Sequence, residues 1–124
     1  MFKVSYNQAL NAVIVEFAGK VDASQAEAFY SDIQKAIPKH GKGFKILTDL
    51  SGVQMMDPDT RGPIKKAMDF FNEHGVTEVI RVITDPSHDI GFNIMSLFHY
   101  SSKVKFLTVQ SREEAEARLA EENA

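Results

Sequence analysis

The chain has 124 residues, 44% of them hydrophobic and 25% charged, with no cysteine and a formal net charge of -3. That is the length of a single domain, residues 1–124, able to bury roughly two-thirds of the surface its unfolded chain exposes. The acidic balance speaks against a nucleic-acid binder, which carries a basic patch or stripe, and the absence of cysteine excludes disulfides, thiolate metal ligands and a cysteine nucleophile.

Phe2 to Tyr6 and Ala12 to Ala18 alternate as two strands of a hairpin joined at Asn7 to Asn11. In the second, Val13, Val15 and Phe17 point one way and Ile14 and Glu16 the other, and Gly19 closes the strand. Asp22 with Gln25 three residues on forms a capping box for a helix whose inward stripe is Ala26, Phe29, Tyr30, Ile33 and Ile37, ended by Pro38 and Gly41. Phe44 to Leu50 reads as the third strand, followed by a Ser51-Gly52 turn and an apolar patch at Val53, Met55 and Met56. Asp59 or Thr60 is expected to cap a second helix with Ile64, Ala67, Met68 and Phe71 inward, ending at His74-Gly75.

Val76 to Thr84 is β-branched and apolar enough for a central strand, with Arg81 at its middle. Asp85-Pro86-Ser87 turns into a third helix running to about Ser102. Val104 to Val109 is the last strand, and Ser111 to Glu114 is a second capping box that opens a terminal helix packed through Ala115 and Leu119. The order β-β-α-β-α-β-α-β-α predicts an α/β domain with a mostly parallel sheet, an antiparallel edge and packed helices. No signal-peptide pattern opens the chain and no apolar run approaches bilayer length, so a cytoplasmic protein without membrane insertion is expected.

The segment from Lys45 to Gly62, KILTDLSGVQMMDPDTRG, resembles the signature loop of the STAS domains (sulphate transporter and anti-sigma factor antagonist), usually D-L-S-x-V-x-x-x-D-S-S-G. Gly19-Lys-Val-Asp22 sits where that fold has G-x-L-D, and the element order is the STAS order over nearly the whole chain. Within the superfamily the chain looks most like the small stand-alone SpoIIAA-like proteins, which often carry an Arg in strand four, here within Val79-Ile-Arg-Val-Ile-Thr84. In the antagonists the Ser after the second Asp is the phosphorylated switch; here that position is Pro58, which has no hydroxyl. The resemblance implies a regulatory protein-interaction domain docking a partner protein through the loop of Asp49, Ser51, Asp57, Asp59 and Thr60 and through the second helix, with Ser51 or Thr60 left to take a phosphate. SpoIIAA-like proteins are also similar in fold to CRAL-TRIO lipid-binding domains, which implies a non-enzymatic carrier of nonpolar small molecules.

The residues themselves offer little chemistry. Asp49, Asp57, Asp59, Asp85 and Asp89 would gather at one sheet edge, where hard oxygens suit Mg²⁺, but no phosphate-cradling glycine loop or companion lysine accompanies them. They read as caps and turn ligands. Histidines 40, 74, 88 and 99 have no ligand spacing, and no G-x-S-x-G elbow is present. No cofactor, metal or catalytic residue is therefore expected. The third helix is different. Phe92, Met95 and His99 lie nearly opposite its core stripe of Ile90, Ile94, Leu97 and Phe98, with Tyr100 between. Either this helix is covered on both faces as core, or together with Phe70 these residues are the expected lining for a nonpolar ligand or, about a two-fold axis, a homodimer interface.

Overall fold

A computed structural model describes residues 2–36, 43–83 and 104–122. A five-stranded sheet runs in chain order: β1 (Phe2–Asn7), β2 (Ala12–Val21), β3 (Lys45–Met56), β4 (Glu78–Val82) and β5 (Lys105–Val109). β1 pairs antiparallel with β2 and every later pair is parallel. Helices α1 (Ala23–Ala36) and α2 (Arg61–Glu73) and the terminal helix α3 (Arg112–Glu122) complete the described elements. The expected third helix, with Asp85, His88 and Asp89 in or beside it, lies outside the described residues, as do Ile37, Pro38, His40 and Gly41.

Strand alternation decides which side chains meet which helix. Val13, Val15 and Phe17 of β2, Ile46 of β3 and Val79 of β4 form one apolar cluster with Phe29 and Ile33 of α1 and Ala67 and Phe71 of α2. Ile14, Leu47, Ile80 and Val82 point to the other side and pack with Ala115 and Leu119 of α3. The expected stripe of α2 holds, with Ile64, Ala67, Met68 and Phe71 buried; on α1 Ala26, Phe29 and Ile33 are buried and Tyr30 is half-buried, while Ile37 lies outside the described residues.

Among the described residues the helix caps form in two of three cases. Asp22 Oδ1 accepts the Gln25 amide at 2.8 Å, and Ser111 Oγ accepts the Glu114 amide at 3.2 Å. Neither Asp59 nor Thr60 caps α2 by its side chain. Pro58–Thr60 forms a 3-10 turn instead, with no side-chain cap at Asp57 or Thr60. Pro58 stands at the start of that turn, where its fixed φ fits and its missing N–H is no loss.

Two strands run further than their sequence suggests. β2 continues through Gly19 to Val21, and β3 continues through Ser51-Gly52 to Met56. The two stay paired as a parallel ribbon beyond the last rung between β3 and β4, Asp49 with Val82. Gly19 takes φ +69°, which an L side chain rarely adopts, and the ribbon is bulged twice. Between the rungs Glu16–Asp49 and Ala18–Gly52, β3 spends Leu50 and Ser51 against Phe17 alone on β2. At Gly52 a Cβ would sit 3.2 Å from Ala18 Cβ, so any side chain there would need Ala18 to give by a few tenths of an ångström. The glycine that reads as a turn signal is here a close-approach residue inside a strand.

Candidate functional site

Parallel strands bring the ends of β2 and β3 and the start of α2 to one edge of the sheet, where open α/β sheets place ligands and partners. Asp49 is the hub of this edge. One carboxylate oxygen, Oδ1, accepts the Ser51 amide at 2.9 Å and the Ser51 hydroxyl at 2.6 Å. The other, Oδ2, accepts from Arg112 Nη1 of α3 at 3.3 Å. The same Nη1 reaches Glu16 Oε1 at 2.8 Å, while Arg112 Nε binds Glu116 Oε1 at 3.0 Å. Partial burial disfavours the Arg112 charge, but hydrogen bonds to Glu16, Asp49 and Glu116 outweigh it and hold the guanidinium above its ordinary pKa.

Further along, the Asp57 amide donates to Val21 O at 3.0 Å and the Thr60 amide to Asp57 O at 3.0 Å, which ties the β3–α2 connection back to the ribbon. Asp57, Pro58, Asp59 and Arg61 are exposed on this anchored backbone. Thr60 is not. Its side chain is buried, and Oγ1 donates to Asp57 O at 2.7 Å. Of the five residues expected on the interaction loop, four face solvent or the Asp49 hub and Thr60 faces inward as part of the turn. Ser51 is exposed and makes the turn bond its residue type favours.

The expected nonpolar lining divides differently. Phe92, Met95, His99 and Tyr100 lie outside the described residues. Phe70 is half-buried at the seam of α1 and α2, edge-on to Tyr30 at 6.1 Å and 4.1 Å from the His74 ring. His74 Nδ1 donates to Phe70 O at 2.8 Å, the same carbonyl that accepts the His74 amide at 3.1 Å. Between the sheet and the α1–α2 layer is a cleft of about 50 Å³, lined by Phe17, Phe29, Thr48, Met68, Phe71 and Arg81 among others. Ligand pockets run from about 300 to 1,000 Å³, so the cleft has room for a few waters and not for a lipid. The carrier expectation is not supported. Arg81 is 3% exposed and lies over the Phe106 ring, Cζ 4.5 Å from its centre, so the strand-four arginine is a core group beside the cleft.

The sequence pointed to Asp49 and Ser51 and missed their partner. Glu16 was placed correctly on the Ile14 side of β2, and a carboxylate on a side covered by a helix calls for a cation; Arg112, the first residue of α3, supplies it. The same logic at the opposite edge pairs the buried Glu78 with Arg118 at 3.4 Å. Among the described residues no three His, Asp or Glu side chains converge to hold a metal, and no helix is long and apolar enough to cross a membrane.

No family model and no curated protein matches the chain. Solved structures do. The anti-sigma factor antagonist SpoIIAA in its unphosphorylated form is 17% identical with a TM-score of 0.63, over 97% of this chain and 98% of that one. The Bacillus cell fate determinant SpoIIAA in its phosphorylated form is 17% identical with a TM-score of 0.65, over 96% and 99%. An uncharacterised protein of Shewanella loihica PV-4 with a SpoIIAA-like fold is 11% identical, with a TM-score of 0.70 over 96% and 92%. Likenesses at such identities speak for architecture, and on that ground the chain has the SpoIIAA-like fold.

Proposed function

We infer that this chain is a regulatory protein-interaction domain of the STAS type, which engages a protein partner through the segment from Asp49 to Arg61. The observation that carries the reading is the anchored, exposed Asp57-Pro58-Asp59 turn at the sheet edge, on a fold that an anti-sigma factor antagonist shares. A rigid backbone presenting charged side chains suits recognition of another folded surface, because little ordering entropy is lost on binding. The partner class that the reading favours is an anti-sigma factor. Pro58 has no hydroxyl and the Thr60 hydroxyl is buried and occupied, so a phosphate on this segment would fall on Ser51.

Affinity capture with the purified protein, with proteins quantified against an Asp59→Arg control, tests the reading. An anti-sigma-factor-type protein should be enriched, and Asp59→Arg should lower its recovery on the order of tenfold, the effect of about 1.4 kcal/mol of lost binding. Equal recovery with both baits, or no enriched protein, overturns it.

A further inference from the structure

Arg112 lies far from Asp49 in sequence, yet it holds the one oxygen of that carboxylate that Ser51 leaves open. The place matters. Glu16 and Asp49 are cross-strand partners on the same face of the sheet, and like charges directly opposite one another repel. Arg112 Nη1 sits between them, at 2.8 Å from one and 3.3 Å from the other. This rung is also the last regular one before the bulge that contains Ser51. A single guanidinium therefore neutralises the repulsion where β3 leaves its register with β2 at the bulge.

We propose that Arg112 is the positioning residue of the Asp49–Ser51 turn, so that attachment of α3 sets the shape of the docking segment. The inference takes its biological meaning from the docking reading above. Its physical content is a coupling between two elements. α3 itself is lightly held: among its described residues only Ala115 and Leu119 are buried, and the ion pairs of Arg112 and Arg118 tie down its first residue and its middle. Elements with few buried contacts open well below the global unfolding free energy. When α3 opens, Arg112 leaves, Glu16 and Asp49 face each other without a cation, and the carboxylate that orients Ser51 turns away. Binding free energies are reciprocal, so whatever grips the turn also tightens or releases α3.

Backbone ¹⁵N relaxation and amide exchange on the intact protein test this without any partner. In Arg112→Ala, the order parameters of Ser51 and Gly52 should fall from the rigid value of about 0.85 towards about 0.6. Arg112→Lys, which keeps the charge but not the fork, should restore part of the order. In Asp49→Ala, amides of the first turn of α3 should exchange up to about fivefold faster, the size expected for a partly exposed ion pair. If Arg112→Ala does not fold, wild type in 0.05 and 1 M NaCl gives the same reading, because screening shortens to about 3 Å at the higher salt. Ser51 and the first turn of α3 should then shift together. Order at Ser51 and Gly52 that is unchanged in Arg112→Ala, or a salt response in α3 with none at Ser51, overturns the coupling. Loss of order in Arg112→Ala alongside failed partner capture refutes the docking reading and leaves this one standing.

Discussion

On one side of the sheet, α1 and α2 bury Phe29, Ile33 and Phe71 against Val13, Val15, Phe17, Ile46 and Val79, and Phe2, Phe17 and Phe29 add ring contacts at 5.0 to 6.4 Å. On the other side, among the described residues, α3 brings two buried side chains and two arginines. The first side is held by apolar area removed from water, which is indifferent to salt and punishes any loss of volume. The second depends in part on charges at its rim, which salt screens and which a partner's charges can replace. One sheet thus carries a permanent cover and a conditional one. The conditional one touches the candidate site.

The contrast can be broken most severely at Phe29. Phe29→Ala should cost about 3–5 kcal/mol of stability in urea unfolding, since the ring is buried among Phe2 and Phe17 with little room for collapse. Leu119→Ala, fully buried on the α3 side, should cost about 2–3 kcal/mol, at the low end of the Leu→Ala range because α3 has few other buried side chains to resist its settling into the gap. An equal or larger loss at Leu119 would erase the distinction between the sides. Arg118→Ala leaves the 3%-exposed Glu78 carboxylate without that cation and should cost about 1–3 kcal/mol by the same measurement.

The smallest effect is expected at Arg112, whose side chain is 32% exposed. Arg112→Ala should cost no more than about 1 kcal/mol, and the difference from wild type should shrink in 1 M NaCl. Its pH dependence has a definite sign. The folded-state pKa is raised, so its contribution is fully present below the ordinary arginine range and is lost only as pH climbs through the folded value. Titration of Arg112 itself therefore gives no change in stability between pH 5 and 9, to be checked by comparing wild type with Arg112→Ala across that range.

Much of this was legible in the residues. Alternation along Val13 to Phe17 assigned each side chain to its side of the sheet, and the stripes of α1 and α2 fell where 3.6-residue spacing put them. Asp22 and Ser111 announced their helices. What misled was glycine. Gly19 and Gly52 read as strand ends, because a local pattern cannot tell a turn from a bulge or a close approach between strands; that depends on which strand lies alongside. Asp49 and Ser51 were visible as site residues through the D-L-S-G-V segment. Arg112 was not, because its meaning arises only when the sheet brings Glu16 and Asp49 onto one rung and α3 folds across them.

The order of the sheet has a consequence for how the chain reaches its native state. Each strand pairs with its neighbour in sequence, β1 with β2 through to β4 with β5, so no step has to close a loop larger than one crossover. The sheet can lengthen one strand at a time from the hairpin, as the chain emerges during synthesis. α3 is the exception, since Arg112 reaches back across 96 residues to Glu16. Such a contact belongs late on the route. Substitutions at Arg112 should then quicken unfolding and leave the refolding rate almost untouched, so the terminal helix governs the lifetime of the finished molecule more than the speed of its making.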